Sequence, residues 1–134
     1  MLTDTEVITY IIDFLVRRKG LTLEEAAGVI AAPFWSTIEQ MPEAQRERLA
    51  YLRETFASLL ITGPFSILLG FTGGMMALND RLKLRSMVCA EKGEAVYFAS
   101  EECAIRVMEP DVETLWAPRG GPAVVVRLND GVTE

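Results

Sequence analysis

The sequence predicts an α+β domain, and two observations carry this prediction. Before Thr62, apolar residues recur at helical spacing in three segments. After Thr62, short apolar runs are separated by glycine-containing turns, which is typical of antiparallel strands. Three helices followed by a mostly antiparallel sheet is the element order of the α+β class.

Two capping boxes predict where the first two helices begin. Thr3-Asp4-Thr5-Glu6 and Thr22-Leu23-Glu24-Glu25 each place a threonine hydroxyl three residues before a glutamate. In this arrangement the threonine hydroxyl accepts the glutamate main-chain N–H, and the glutamate carboxylate accepts the threonine main-chain N–H. The first helix is predicted to end before Gly20 and the second near Pro33. The third is predicted to begin at Met41-Pro42-Glu43, because proline is well tolerated in the first helical turn.

Phe34 and Trp35 lie between the second and third helices. Aromatic side chains next to a helix end usually pack against the layer beneath them. We therefore expect both rings to be buried in the core rather than to form a ligand platform.

Residues 63–104 are predicted to form the centre of the sheet. The almost continuously apolar run at residues 65–71 predicts a strand buried on both faces. Further strands are predicted at residues 75–78, 85–90, 95–99, 112–116 and 123–128, with a hairpin turn at Glu91-Lys92-Gly93-Glu94. Because a sheet buried on both faces needs a second covering layer, residues 1–134 are expected to form a single, incomplete domain.

The composition excludes several classes of site. The chain of 134 residues carries a formal net charge of −6 and contains no histidine. Zinc sites made of cysteine and histidine, Ser-His-Asp triads and Cys-His dyads therefore cannot form from these residues alone, and we expect no metal site. The acidic balance argues against nucleic-acid binding. Cys89 and Cys103 lack CxxC spacing and are expected to be free thiols in a reducing cytoplasm.

One uncharged stretch has the length of a membrane span. No charged residue occurs from Thr55 to Asn79. Gly63-Pro64 interrupts this run near its middle, so a helix end followed by a strand is the favoured interpretation, and no membrane association is expected. The start of the chain is acidic and does not resemble a secretory signal.

The candidates for a site or for structural roles in the predicted sheet region are Asp80, Arg85, Ser100 and Glu101. Asp80 and Arg85 belong to a charged loop. One interpretation is a polar connection that contains an Asp80–Arg85 ion pair. The other is a loop at the mouth of a functional site. Ser100 is predicted to cap a short helical turn. Glu101 and Glu102 are adjacent, so in a strand they point to opposite faces and form a poor acid/base pair.

Asp4 lies in the first turn of the first predicted helix. A carboxylate is stabilised there by the helix dipole and by exposed N–H groups. The residues alone favour a dipole-stabilising role, with the binding of a cationic ligand group as the alternative.

Four motifs in order resemble the second half of class-II glutamine amidotransferase domains, which are N-terminal-nucleophile hydrolases. The closest likeness is to the separately encoded glutaminase domain of archaeal-type glutamate synthase. The motifs are Thr3-Asp4-Thr5-Glu6-Val7, Gly63-Pro64-Phe65-Ser66-Ile67, Ala77-Leu78-Asn79-Asp80-Arg81-Leu82-Lys83-Leu84-Arg85 and Ala99-Ser100-Glu101. Many relatives carry Asp-x-x-Gly-Ile/Leu-Arg-Pro, which matches Asp80 and Arg85, whereas Lys83 replaces the glycine and Ser86 the proline.

The resemblance implies part of an αββα sandwich and a glutaminase that supplies ammonia to a synthase. In this family an N-terminal cysteine attacks the glutamine side-chain amide, and its own α-amino group acts as base. The resemblance assigns Asp4 to the α-amino group of substrate glutamine and gives Ala99-Ser100-Glu101 a structural role. Met1-Leu2 supplies no such cysteine, so no catalytic residue is assigned and the chain alone is expected to be inactive. FMN and an iron–sulfur cluster are implied on the synthase partner, not on this chain.

Two alternatives stay open. A non-catalytic binding or assembly module that retains the fold is the first, and it is expected to form a homo-oligomer or to pair with a synthase subunit. The missing N-terminal half is the expected partner in the enzyme interpretation. Within enzymes, amidophosphoribosyltransferase is the second, although no phosphoribosyl-binding segment is recognisable.

Overall fold

The computed structural model describes residues 3–128. Within them, five α-helices and two small antiparallel sheets confirm the predicted α+β class. The chain divides into two compact units, Met1–Thr62 and Gly63–Glu134. The described part of the first unit is helical, and the second unit carries the strands.

The first helix, α1 (Asp4–Asp13), begins where the capping box predicts. The Thr3 hydroxyl oxygen accepts the Glu6 N–H at 3.3 Å. The predicted reciprocal contact from the Glu6 carboxylate to the Thr3 N–H does not form, because Glu6 instead accepts the hydroxyl of Tyr10, one helical turn further on, at 3.1 Å. The helix continues as a π-helical turn at Phe14–Arg18.

The second helix, α2 (Leu23–Ala31), is the centre of the first unit. Both halves of the predicted Thr22 capping box are present, and the residues from Ala26 to the helix end are buried. Gly28 permits the close approach of α4 (Glu43–Thr55), since a Cβ at this position would lie 2.5 Å from Leu49 Cδ1. The largest fully buried side chains of this unit are Leu15, Val29, Ile30, Ile38 and Leu52.

The prediction that Phe34 and Trp35 are core residues is wrong. Trp35 begins a short helix, α3 (Trp35–Glu39), and the two residues are 42% and 49% exposed. The Arg53 guanidinium lies 4.2 Å from the centroid of the Trp35 ring and donates to the Pro33 carbonyl at 2.7 Å. The indole therefore packs against a cation at the surface, an arrangement stabilised by the ring quadrupole.

The described part of the second unit contains two three-stranded antiparallel sheets rather than one. The first has the strand order β1-β2-β6 and the second β4-β3-β5. A helix, α5 (Glu102–Met108), follows β4. The strands are β1 (Ser66–Phe71), β2 (Gly74–Asn79), β3 (Val88–Lys92), β4 (Ala95–Ala99), β5 (Thr114–Trp116) and β6 (Val124–Arg127).

The predicted hairpin between β3 and β4 is confirmed, and two other predictions are corrected. The apolar run of β1 is not buried on both faces: its residues alternate between exposed and half-buried, because successive side chains of a strand point to opposite faces and one face of β1 is exposed. The third strand begins at Val88 rather than Arg85. The residues before Val88 instead form a loop around the side chain of Asp80.

In the part of the chain from residue 3 to residue 128, no helix is both long enough and apolar enough to cross a membrane.

We expect Thr22→Ala to lower the free energy of unfolding of the first unit by about 1 kcal/mol, because the Glu25 N–H loses its hydroxyl acceptor. Urea denaturation followed by circular dichroism measures the change. Thr5→Ala, at an exposed position in α1, is the matched control and should shift stability by less than about 0.5 kcal/mol. Equal effects of the two substitutions would contradict the role of the capping box.

Candidate functional site

Asp4 is an exposed residue in the first turn of α1. Within residues 3–128 its carboxylate has neither a hydrogen bond nor an ion pair. The other acids near this helix are engaged, since Glu6 accepts from Tyr10 and Asp13 pairs with Arg17. Asp4 therefore has a carboxylate that no group among the described residues engages.

A second cluster, in the other unit, is built around the carboxylate of Asp80. This residue is 3% exposed, and it directly follows Asn79, the last residue of β2. Its Oδ1 accepts the N–H groups of Leu82 and Leu84, both at 3.1 Å. Its Oδ2 accepts those of Phe65 at 3.2 Å and Arg85 at 3.4 Å. We call the carboxylate and these four N–H groups the Asp80 cage.

The cage determines the charge state of Asp80. Burial alone raises the pKa of a carboxyl group because it disfavours the ionised form. Here the N–H groups of Leu84, Phe65, Arg85 and Leu82 outweigh burial and hold the pKa of Asp80 below its ordinary value. The carboxylate is thus ionised at neutral pH and acts as the acceptor that shapes the loop.

Lys83 has a backbone conformation that normally favours glycine. Its φ of +53° lies in the left-handed region, and Ala32 is the other non-glycine residue between 3 and 128 with positive φ. The Lys83 N–H donates to the Asp80 carbonyl at 3.0 Å, and the next two N–H groups enter the cage. The left-handed residue is therefore the point where the chain turns back toward the carboxylate.

Asn79 is a buried polar residue that was not recognised as a separate candidate from the sequence. Its Nδ2 donates to the Arg85 carbonyl at 2.9 Å, and the residue is 1% exposed. Its Oδ1 is buried and has no partner among the described residues. A buried acceptor of this kind requires a donor, such as a water molecule or a ligand group. The sequence feature that could have identified Asn79 is its amide side chain at the end of the otherwise apolar strand GMMALN.

The connection between β5 and β6 also packs against this loop. The Gly121 N–H donates to the Asn79 carbonyl at 3.3 Å. A Cβ on Gly120 would lie 2.7 Å from the carbonyl oxygens of both Asp80 and Arg81. Glycine at position 120 therefore allows the β5–β6 connection to contact the loop that follows β2.

The predicted ion pair between Asp80 and Arg85 does not form within residues 3–128. Arg85 contacts Asp80 through its main-chain N–H, and its exposed side chain does not pair with the carboxylate. The physical reason is that the nearby N–H groups already occupy both carboxylate oxygens. The loop is thus held by main-chain N–H groups that donate to the Asp80 carboxylate, and not by an ion pair.

The predicted cap at Ser100 is wrong. Glu101 is the residue preceding α5, and neither side chain caps the helix. The Glu101 carboxylate accepts from the Cys103 thiol at 3.3 Å, while Glu102 pairs with Arg106 at 2.6 Å. The two adjacent glutamates therefore have separate partners.

The second sheet brings the end of the Asp80 loop and the Ser100-Glu101 turn to the same end of its strands. Val88, which follows the loop, pairs with Ala99, which precedes Ser100. Asp80, Arg85, Ser100 and Glu101 therefore belong to the same unit, whereas Asp4 belongs to the helical unit.

The two cysteines are free and differ in environment. Cys89 is buried, and burial raises the pKa of its thiol to about 11. It is therefore protonated and unreactive at neutral pH. Cys103 is exposed. Among the described residues, no group of three or more histidine, cysteine, aspartate or glutamate side chains is arranged to hold a metal ion.

Comparison with known proteins gives one informative similarity. No family model matches this chain, and no solved structure matches it. A protein of Archaeoglobus fulgidus, described as an uncharacterized protein, is 39% identical over 134 residues, which is the whole of this chain. The chain covers only 35% of that relative. The similarity extends across both compact units.

We expect Asp80→Asn to lower the free energy of unfolding of the second unit at neutral pH by about 2 to 3 kcal/mol, because N–H groups of the cage lose an ionised acceptor. Asp111→Asn, at an exposed position, is the control with the same chemical change and should have little effect. Chemical denaturation of both variants measures the difference.

The same pair of variants tests the pH dependence. Because folding lowers the pKa of Asp80, its contribution is complete above the unfolded pKa and is lost as the pH falls through the folded value. The stability difference between the wild-type chain and Asp80→Asn should therefore shrink below about pH 4. A difference that stays constant down to about pH 2 would contradict an ionised cage.

Gly120→Ala should destabilise the second unit by about 1 to 3 kcal/mol, because the added methyl group meets two main-chain carbonyl oxygens that cannot easily move. Gly70→Ala is the matched control, since a Cβ there meets no atom within 4 Å. Thermal unfolding of both variants is the measurement. Equal stability of the two variants would show that the connections do not pack as described.

Proposed function

We propose that this chain is part of the glutaminase domain of a class-II glutamine amidotransferase, most similar to archaeal-type glutamate synthase. One observation carries the proposal. At the position where the Asp-x-x-Gly signature has glycine, Lys83 adopts the left-handed conformation that glycine favours, and the signature aspartate, Asp80, organises the loop. The replaced signature residue thus keeps the backbone geometry that a glycine would provide.

The proposal also includes the architecture. Two antiparallel sheets and accompanying helices are the kinds of layer from which an αββα N-terminal-nucleophile sandwich is built. In this proposal the chain contributes one part of that sandwich, and the remaining strands belong to a segment outside this sequence.

Asp4 has the proposed role of holding the α-amino group of glutamine. An exposed carboxylate without a partner in the described residues suits an ammonium ligand, because a charge-assisted hydrogen bond forms without first breaking an internal ion pair. The resemblance, rather than the helix position alone, is what assigns this role to Asp4.

The chemistry requires a nucleophile from outside this chain. In the proposed reaction an N-terminal cysteine thiolate attacks the glutamine side-chain amide, ammonia leaves, and water hydrolyses the resulting thioester to glutamate. Cys89 does not fit this role because it is buried with a raised thiol pKa. Neither Cys89 nor Cys103 carries the free α-amino group that acts as base.

The proposed partner is a synthase subunit that receives the ammonia. FMN and an iron–sulfur cluster would be bound by that partner, and no residue of this chain is assigned to them. Amidophosphoribosyltransferase is the second enzyme class to which the same glutaminase domain would fit.

A non-catalytic assembly module is the alternative outside enzymes. The observation in its favour is exposed apolar surface in the first sheet, where Leu68 and Met75 are 50% and 39% exposed. Surfaces of this kind often mark sites of protein association. This alternative predicts association without glutamine binding.

Titration with glutamine tests the proposal. The chain should bind glutamine, and Asp4→Asn should weaken binding about tenfold or more, because a charged hydrogen bond to the ammonium group is lost. Asp13→Asn, at the other end of α1, is the control and should bind like the wild-type chain. Isothermal titration calorimetry measures the affinities.

An ammonia-release assay is the second readout. This chain alone should release no ammonia from glutamine, and addition of a separately expressed N-terminal half should restore release. Absence of glutamine binding by the wild-type chain would overturn the proposal, and ammonia release by the chain alone would show that its nucleophile lies within these residues.

A further inference from the structure

The side-chain oxygen of Asn79 is buried and accepts no hydrogen bond from a protein group among residues 3–128. Leaving a buried acceptor without a donor is destabilising. The other end of the amide fixes its orientation, because Nδ2 donates to the Arg85 carbonyl at 2.9 Å. Exchanging the amide nitrogen and oxygen would bring two oxygens together at that contact. Oδ1 is therefore the atom that needs a donor.

Ser66 is the neighbour that can share a donor with Asn79. The two residues are directly opposite in the β1–β2 register, so their side chains lie on the same face of the first sheet. The adjacent pair, Phe65 and Asp80, is joined by a main-chain hydrogen bond at 3.0 Å. Hydrogen-bonded and non-hydrogen-bonded pairs alternate in an antiparallel ladder. Ser66 and Asn79 therefore form a non-hydrogen-bonded pair, in which the side chains approach each other most closely.

The Ser66 hydroxyl has hydrogen-bonding capacity to spare. Ser66 is exposed at the start of β1, and in the part of the chain from residue 3 to residue 128 its hydroxyl bonds to no protein group. A hydroxyl both donates and accepts. It does not reach Asn79 Oδ1 directly, since Oδ1 has no protein partner in that range. A molecule placed between the two side chains can donate to Oδ1 and also bond to the hydroxyl.

The surroundings of Asn79 select water as that molecule. The occupant must be small, because Asn79 is 1% exposed, and it must carry a hydrogen to donate. A metal ion needs several oxygen ligands, whereas both oxygens of the nearby Asp80 carboxylate already accept N–H groups. Arg81, Lys83 and Arg85 in the adjoining loop also disfavour a cation. Water meets both requirements, and buried waters commonly bond to polar groups that lack a protein partner.

We propose that an ordered water molecule bridges Asn79 Oδ1 and the Ser66 hydroxyl. The water donates one hydrogen to Oδ1 and makes a second hydrogen bond with the hydroxyl. Through the Asn79 amide, this bridge connects the first residue of β1 with the Arg85 carbonyl at the end of the Asp80 loop. The proposal does not depend on the glutaminase proposal, and its tests involve no glutamine, so the failure of either is recognised separately.

A crystal structure of the chain at a resolution that shows ordered solvent tests the bridge directly. One water should lie about 2.5 to 3.0 Å from both Asn79 Oδ1 and Ser66 Oγ. A protein donor on Oδ1, a metal ion, a solute molecule, a water that contacts Asn79 but not Ser66, or no ordered solvent at Oδ1 would each overturn the proposal.

A double-mutant cycle tests the same bridge in solution. Ser66→Ala removes one end and should raise the unfolding equilibrium constant, measured by urea denaturation, about threefold to tenfold. In a chain that carries Asn79→Leu, which removes the other end, Ser66→Ala should have little effect because no bridge remains to be lost. Ser100→Ala makes the same change at another exposed serine of the second unit and should leave stability unchanged.

Circular dichroism checks that each variant of the cycle is folded. If Asn79→Leu does not fold, Asn79→Ala, which removes the same amide, takes its place, and the crystallographic test requires neither variant. Equal effects of Ser66→Ala in the two backgrounds, or no effect of Ser66→Ala in the wild-type chain, would contradict a shared water molecule.

Discussion

The buried carboxylate of Asp80 organises the second unit. It accepts N–H groups from Phe65, immediately before β1, and from the loop that leads from β2 to β3. The neighbouring Asn79 carbonyl receives the Gly121 N–H from the connection between β5 and β6. Both connections between the two sheets therefore pass the same point. Asp80 and the neighbouring Asn79 therefore hold the start of β1 and both inter-sheet connections close to one another.

The energetics of the loop explain why an unfavourable backbone conformation is retained. A non-glycine residue in the left-handed region costs about 1 to 2 kcal/mol. Hydrogen bonds to a charged acceptor contribute about 1.5 to 3 kcal/mol each, and the cage contains four N–H donors. The strain at Lys83 is therefore smaller than the stabilisation that depends on it, and the loop keeps its shape without glycine.

Features determined by local sequence were predictable. The capping hydroxyls of Thr3 and Thr22 act within one helical turn, and the turn at Gly93 joins neighbouring strands, so each is specified by a few adjacent residues. The α+β class followed from the change in apolar spacing. Asp80 was identified as a candidate from its place in a motif, although its partners were not.

Features determined by tertiary packing were not predictable. A continuous apolar run like that of β1 occurs both in central strands and in edge strands, so the exposure of β1 could not be predicted from the sequence. Trp35 was expected in the core because aromatic rings next to a helix end usually pack inward, and its surface partner, Arg53, is too distant in sequence to be predicted. The partners of Asp80 are main-chain groups, which every residue possesses and no sequence pattern displays. The Asn79 side-chain oxygen, which has no partner among residues 3–128, could not be predicted either, because burial at this position depends on tertiary packing.

The conformation of Lys83 has a consequence for how loops of this shape are found in other chains. A left-handed backbone conformation is usually adopted by glycine, and here a lysine adopts it because the surrounding hydrogen bonds hold it in place. A sequence pattern that requires glycine at this position would miss this loop. A structural pattern made of one buried carboxylate, four inward N–H groups and one left-handed residue would find it. Loops of this kind are therefore better searched for by backbone geometry than by amino-acid identity.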